Sequence, residues 1–199
     1  MRPAPQSPRT VRQQVARWIS ILGHPFVLIP LMVTAVTVGW LPPERVALVV
    51  GMVLLGSVVP MLLLMARRVR SGVWTNYDVS VREQRHGMYP AALAAAGGTV
   101  LLLAATGAPR PILRGVLSVL LLIAIAAVVN LRLKISLHTA FAMYTAVILF
   151  AGNRALGAGL LALTLAIAWS RLELGRHTLP EVIGGALLGA AVGGGLVLL

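Results

Sequence analysis

The chain has 199 residues, of which 58% are hydrophobic and 11% are charged, whereas soluble domains carry about 25% charged residues, so we expect a membrane protein. The sequence contains no cysteine, which excludes disulfides, thiolate catalysis and cysteine-bound metals. The net charge of +12 comes from basic residues that lie between apolar runs, and this placement favours a phosphorylated lipid or lipid headgroups over nucleic acid as the partner.

Seven apolar segments follow a polar, proline-rich start. We expect residues 1–17 to form a basic tail and residues 18–199 to form a single integral-membrane helical domain. A membrane-spanning helix needs about 20 apolar residues, and a lone strand cannot satisfy its backbone hydrogen bonds in lipid. The sequence therefore predicts an all-α, polytopic transmembrane helical bundle of about six to seven segments. In chain order the segments are Ile19–Trp40, Val46–Ala66, Pro90–Gly107, Gly115–Asn130, Leu137–Gly152, Ala155–Trp169 and Val182–Leu199.

Three polar stretches interrupt these segments, and the predicted crossings place all three on the same face of the membrane. They read TNYDVSVREQRHGMYP (75–90), KISLHTAFA (134–142) and SRLELGRHTLPEVIGGALLG (170–189). An arginine guanidinium matches phosphate oxygens in a bidentate manner, and a helix start adds free N–H groups. Two histidines on separate helices supply one candidate nucleophile and one candidate acid. The three stretches together predict an anion-binding site.

The third stretch resembles the last motif of the type-2 phosphatidic acid phosphatase superfamily, integral lipid phosphatases related to the vanadium haloperoxidases. That motif reads Ser-Arg, five residues, His, three residues, Asp. This chain has Ser170 and Arg171, then His177, then Glu181, which is one methylene longer than aspartate.

The other two stretches resemble the two remaining motifs of the family, and the resemblance covers about residues 75 to 190. The middle motif, Pro-Ser-Gly-His, is similar to Ile135-Ser136-Leu137-His138. The first motif, Lys, six residues, Arg-Pro, is similar to Arg82, six residues, Tyr89-Pro90, with Arg85 available for the role of the missing arginine.

The resemblance implies a role for each matching residue. His177 would attack phosphorus and form a phosphohistidine, His138 would protonate the leaving alcohol as the general acid, and Glu181 would orient His177. The implied phosphate clamp needs no metal and no other cofactor. It comprises Arg82, Arg85, Arg171 and Ser136.

The predicted function is therefore hydrolysis of a lipid phosphate or diphosphate, phosphatidate-like or polyprenyl, at the membrane. Two alternatives stay open at this point. One is an enzyme that releases diphosphate from a prenyl diphosphate or cyclises its chain, and the other is a non-catalytic protein that binds anionic lipid. The expected partners are the substrate and membrane lipids.

Two further interpretations concern local structure. Thr178 and Glu181 also have the spacing of a capping box at the start of the last helix. Glu181 could therefore cap this helix as well as orient His177. Gly185, Gly189 and Gly193 recur every four residues, a pattern that allows close helix packing.

The charge distribution predicts the orientation in the cell membrane. Apart from Arg82, Arg85, Lys134, Arg171 and Arg176, eight basic residues lie on the motif face and four lie on the opposite face. An excess of Lys and Arg in short loops marks the cytoplasmic side, so we expect the site to face the cytoplasm. The eight are Arg2, Arg9, Arg12, Arg17, Arg67, Arg68, Arg70 and Arg132, and the four are Arg45, Arg110, Arg114 and Arg154.

Overall fold

The computed structural model describes residues 10–199, and over this range the chain is a bundle of helices, as predicted. Residues 1–9 of the predicted tail lie outside the described residues. A π-helical turn, Leu54–Val58, joins two helices into one continuous helix, Pro43–Arg70. The helices are α1 (Val11–Leu22), α2 (Pro25–Thr37), α3 (Pro43–Val53), α4 (Val59–Arg70), α5 (Arg85–Ala105), α6 (Arg110–Asn130), α7 (Leu137–Gly152), α8 (Arg154–Glu173) and α9 (Leu179–Leu198).

Within residues 10–199, five helices are long and apolar enough to cross a membrane, and a sixth is added if α1 and α2 form one bent span. The apolar helix α7 is shorter, with 16 residues. Leu55, Leu101 and Leu165 point outward with exposed fractions of 71%, 72% and 71%. Lipid tails are as apolar as leucine, so these spans and their leucine-rich outer surface are compatible with an integral membrane protein.

The first predicted segment, Ile19–Trp40, is divided into two helices that are bent by 48°. Nδ1 of His24 accepts a hydrogen bond from the backbone N–H of Phe26 at 3.2 Å and so caps the start of α2. Pro25 is the first residue of α2, where a missing N–H costs nothing, whereas inside a continuous helix it would break the hydrogen-bond ladder. The break places His24 at the polar face rather than inside a span.

Helix α1 begins at Val11, inside the predicted tail, and it packs along the end of α8. The Arg12 guanidinium lies 2.7 Å from a carboxylate oxygen of Glu173 and 5.9 Å from the ring centroid of Trp169. These contacts hold α1 against the helix that carries the last motif.

Helices α7 and α9 approach each other through the glycine repeat of α9. A Cβ atom on Gly185 would clash with the carbonyl oxygen of Ser136, and one on Gly189 would clash with the carbonyl oxygen of Ala140. The predicted close packing through these glycines is therefore confirmed. The contact fixes the starts of α7 and α9 side by side, and these two starts carry the middle and last motifs.

Candidate functional site

The end of α8 reverses the chain so that His177 returns over Arg171. Gly175 adopts a left-handed conformation with φ of +60°, which glycine reaches without steric cost. The N–H of Gly175 then donates to the carbonyl of Leu172 at 2.9 Å, and the N–H of Arg176 donates to that of Arg171 at 3.0 Å. These two bonds form a Schellman motif, and the tight turn brings the N–H of His177 to 3.3 Å from the carbonyl of Arg171.

The His177 imidazole is held from one side by Glu181. Its Nδ1 lies 2.7 Å from Oε2 of Glu181, and the same oxygen accepts the backbone N–H of Thr178 at 3.3 Å. Lys134 places its Nζ 3.2 Å from this oxygen as well. Burial, with the nearby Arg85 and Arg171 charges, lowers the pKa of His177 from 6.5 to about 2. The imidazole is therefore neutral at physiological pH, and with Nδ1–H donated to the carboxylate its Nε2 carries the lone pair that can attack phosphorus.

Arg85, the first residue of α5, reaches His177 from the opposite side. Its guanidinium donates to the carbonyl of Val79 at 2.9 Å and to the carbonyl of Ile135 at 2.7 Å. Its Nη2 lies 3.4 Å from Nε2 of His177, and the residue is only 2% exposed. A buried cation beside the attacking nitrogen is positioned to hold a phosphoryl oxygen there.

Arg171 is fully buried, and its neighbours bind its guanidinium through one nitrogen only. Nη1 donates to Oγ of Ser20 at 2.6 Å and to Oδ2 of Asp78 at 2.9 Å. Nε and Nη2 are buried and have no hydrogen-bond partner among the described residues. These two nitrogens form one edge of the guanidinium, the edge that binds two oxygens of a phosphate or carboxylate at once. An anion bound at this edge would satisfy both buried donors.

His138 lies near the start of α7, beside Asp78. Its Nε2 is 3.9 Å from Oδ1 of Asp78. This nitrogen is buried and has no hydrogen-bond partner among the described residues. The ring packs edge-on against that of His24, with the centroids 4.7 Å apart. His138 and Arg171 therefore lie on either side of the same Asp78 carboxylate.

The comparison with known families bears on the part of the chain that carries two of the three motifs. A family model described as the PAP2 superfamily matches residues 131–199. Residues 131–199 of this chain are therefore similar to the PAP2 superfamily. PAP2 is the type-2 phosphatidic acid phosphatase family that the motifs resemble, so the resemblance is confirmed over this PAP2 segment. Members of the superfamily are phosphatases, which supports a phosphoric ester hydrolase in general. No curated protein and no solved structure matches the chain significantly.

Two candidate clamp residues lie away from this cluster. Arg82, outside the PAP2 segment, is partly exposed, and its Nη1 donates to the carbonyl of Arg132 at 2.9 Å. Ser136 is buried and caps α7, where its Oγ accepts the N–H of Thr139 at 3.4 Å. Five of the seven predicted site residues therefore lie in one cluster: His177, His138, Glu181, Arg85 and Arg171. The side chains of Arg82 and Ser136 make their contacts elsewhere. The phosphate-binding roles of these two residues stay a prediction.

Four polar residues join the cluster although the motifs do not contain them. Asp78 contacts the PAP2 segment from the loop before α5, and Ser20 contacts it from α1. His24 packs on the general-acid candidate, and Lys134 pairs with the carboxylate that orients the nucleophile candidate. One signal was available in the sequence: Asp78 is one of only two acids in its loop. The other contacts depend on helix packing that no short spacing encodes.

His24, Asp78 and His138 are also the residues that could hold a metal ion, since one ligand atom from each lies within 4.8 Å of the others. The carboxylate, however, already pairs with Arg171 at 2.9 Å and has a second guanidinium, that of Arg176, at 3.8 Å. A divalent cation placed there would face two guanidinium charges at close range. The electrostatics of the cluster therefore favour an anion over a metal ion.

An apolar chamber of about 540 Å³ opens from the cluster into the bundle. Its polar end is lined by Asp78, Arg85 and His138, and the opposite end by Trp40 and Arg114. Most of the wall between them is hydrophobic and includes four methionines, whose flexible side chains adapt to irregular ligands. The methionines are Met32, Met61, Met65 and Met88. A molecule with an anionic head and a hydrocarbon chain fits this combination of polar end and apolar wall.

Proposed function

We propose that this protein is a metal-independent phosphatase that acts on a lipid phosphate or diphosphate through a phosphohistidine. The observation that carries the proposal is the pair of His177 and Glu181, whose 2.7 Å hydrogen bond leaves Nε2 of His177 beside the buried Arg85 guanidinium, with the Arg171 charge nearby. Phosphoryl transfer depends mainly on positioning and charge stabilisation, and a neutral nucleophile between fixed cations supplies both.

In the first step, Nε2 of His177 attacks phosphorus and the bond between phosphorus and the lipid oxygen breaks. Arg85 and the unpaired edge of Arg171 hold the phosphoryl oxygens as charge develops on them. His138 donates a proton to the departing alkoxide, and Glu181 stabilises the positive charge on His177. The products of this step are a free lipid alcohol and the phosphohistidine.

In the second step, water attacks the phosphohistidine and releases inorganic phosphate. His138, now neutral, takes a proton from the attacking water, so the general acid of the first step becomes the base of the second. The bond between phosphorus and Nε2 breaks, and His177 returns to its neutral form. No electron transfer and no co-reactant other than water is needed.

The apolar chamber supports a lipid as the substrate class. The head would reach the cluster and a hydrocarbon chain would follow the apolar wall between the helices. Phosphatidate-like and polyprenyl substrates both have this form. We further propose, from the eight basic residues against four, that the cluster faces the cytoplasm and that the substrate lies in the inner leaflet of the cell membrane.

The test is phosphate release by the purified protein in detergent from phosphatidate, a polyprenyl monophosphate and a prenyl diphosphate, with glycerol phosphate as the chain-free comparison. We expect release from at least one lipid, with little from glycerol phosphate, unchanged by a chelator and blocked by vanadate, which mimics five-coordinate phosphorus. Activity that disappears in chelator and returns with a divalent ion would contradict the metal-independent mechanism. Lipid binding without any phosphate release would instead favour a non-catalytic lipid binder.

A further inference from the structure

The Asp78 carboxylate lies between the two parts of the cluster that handle phosphate and the leaving group. Oδ2 accepts from Nη1 of Arg171 at 2.9 Å, and Oδ1 faces Nε2 of His138 at 3.9 Å. The side chain of Asp78 is 21% exposed, while Arg171 is fully buried and His138 is 5% exposed. One carboxylate therefore touches the candidate clamp and faces the candidate general acid.

The contact with Arg171 determines which edge of the guanidinium is free. Ser20 and Asp78 both accept from Nη1, so Nε and Nη2 stay unpaired on the edge suited to a bidentate anion. Without these two acceptors, the guanidinium could rotate and satisfy its donors elsewhere. Asp78 and Ser20 thus orient the edge that receives the phosphoryl oxygens.

The backbone around Asp78 is held in an uncommon conformation. The next residue, Val79, is fully buried and has a φ of +44°, in the left-handed region that β-branched residues avoid. Such a conformation is unfavourable for a β-branched residue and persists only where its surroundings enforce it. Here the Val79 carbonyl accepts from Nε of Arg85 at 2.9 Å, so a clamp arginine secures the turn that presents Asp78.

We propose that Asp78 is a positioning residue that couples the clamp to the general acid: one oxygen orients Arg171 and the other orients and stabilises protonated His138. The inference rests on the proposed phosphatase function. When substrate is bound, a carboxylate beside His138 favours the imidazolium that must donate its proton to the leaving alkoxide. A good leaving group needs this proton less than an alkoxide does, so the effect of losing Asp78 depends on the leaving group.

The experiment compares Asp78→Asn with Asp78→Ala, using Glu83→Gln as the matched control. Glu83 is the other acid of the same loop, and its carboxylate contacts only the partly exposed Arg82 among the ion pairs of the described residues. The amide oxygen of Asp78→Asn can still accept from Arg171, but its NH₂ group then faces His138. Asp78→Ala loses both interactions.

For each variant we measure turnover of p-nitrophenyl phosphate and of a lipid monophosphate, and the dissociation constant of vanadate. In Asp78→Asn, the ratio of p-nitrophenyl phosphate to lipid turnover should rise on the order of tenfold, part of the 10²–10⁴-fold that a general acid supplies, with vanadate binding nearly unchanged. Asp78→Ala should show the same rise together with weaker vanadate binding, and Glu83→Gln should match the wild type in both measurements.

Two results would overturn the positioning role. An unchanged turnover ratio in both Asp78 variants would exclude the coupling to His138, and unchanged or tighter vanadate binding by Asp78→Ala would show that Asp78 only neutralises Arg171. The vanadate measurement also separates this proposal from the proposed function. A wild-type protein that binds vanadate but releases no phosphate defeats the phosphatase while still testing how Arg171 is held.

Discussion

One carboxylate oxygen of Glu181 serves His177 and the start of α9 together: it lies 2.7 Å from Nδ1 of His177 and accepts the N–H of Thr178 at 3.3 Å. The capping and the chemical interpretations of Glu181 are therefore compatible in the structure. Because the helix start and Lys134 both hold the carboxylate, the imidazole has an oriented partner.

This shared oxygen leads to the first prediction. His177→Ala should reduce phosphate release to background, since no other nucleophile replaces the imidazole, while lipid binding persists. Glu181→Gln should retain the helix cap through its amide oxygen yet lower turnover, because a neutral amide does not stabilise a charged His177. Turnover and ³²P labelling of the trapped protein measure both effects. The exposed His86→Ala is the control, and wild-type turnover by His177→Ala would contradict the mechanism.

The second prediction separates Arg85 from Arg82, which compete for the role of the first motif. Arg85→Gln should lower turnover by roughly 10²–10³-fold, the usual effect of removing one transition-state donor, because its guanidinium lies beside Nε2 of His177. Arg82→Gln should retain most of the activity, since the Arg82 side chain binds the carbonyl of Arg132 instead. Steady-state turnover of one lipid phosphate by both variants decides between them. A larger loss of turnover in Arg82→Gln than in Arg85→Gln would favour Arg82, the residue that the motif spacing indicates, as the phosphate-binding residue.

The third prediction concerns stability against pH. Burial lowers the pKa of folded His177 to about 2, against 6.5 for the free side chain. Below pH 6.5 the His177 side chain is protonated in the unfolded chain but stays neutral in the folded chain. The neutral, buried imidazole therefore contributes its full share of the free energy of unfolding above pH 6.5, and this share declines as the pH falls toward 2. The thermal midpoint in detergent should decrease as the pH is lowered from about 7.5 to about 5, and the decrease should be smaller in His177→Asn. The exposed His86→Asn should follow the wild type, and equal slopes in all three proteins would refute the assignment.

The fourth prediction tests the contact between α7 and α9. Gly189→Ala should destabilise the protein markedly, because its Cβ would meet the Ala140 carbonyl and push apart the two helices that carry the PAP2 motifs. Gly194→Ala is the matched control on the same helix, since its Cβ would meet nothing within 4 Å. Thermal midpoints in detergent compare the two. Equal midpoints would mean that α7 and α9 do not pack as described.

The fifth prediction concerns orientation. The loop before α5 and the cluster should face the cytoplasm, whereas the end of α9 should lie across the membrane, because the basic residues favour the motif side by eight to four. Reporter fusions in the loop at residues 71–84 and after Leu199 report the two sides independently. A loop reporter active only outside the cytoplasm would reverse the orientation and move the substrate to the outer leaflet.

The sequence by itself was sufficient to predict the class of fold and the local part of the site. Long apolar runs specify membrane helices because backbone groups in lipid must bond within their own segment. The relation among Arg171, His177 and Glu181 is likewise local, since one glycine turn and one helix start set it within about a dozen residues. Spacing along the chain carries such information, and the PAP2 match covers this same part.

Only the tertiary structure decided which distant residues complete the cluster. Ser20 and Asp78 meet Arg171 across 151 and 93 residues of chain, and Arg85 rather than Arg82 faces His177. Pairing over such separations depends on how helices pack, and packing depends on side-chain volume and glycine contacts that the motifs do not contain. The bend at Gly23 to Pro25 places His24 at the polar face for a related reason. A helix cap and a proline end one helix and begin the next, although the hydropathy of this apolar run is continuous.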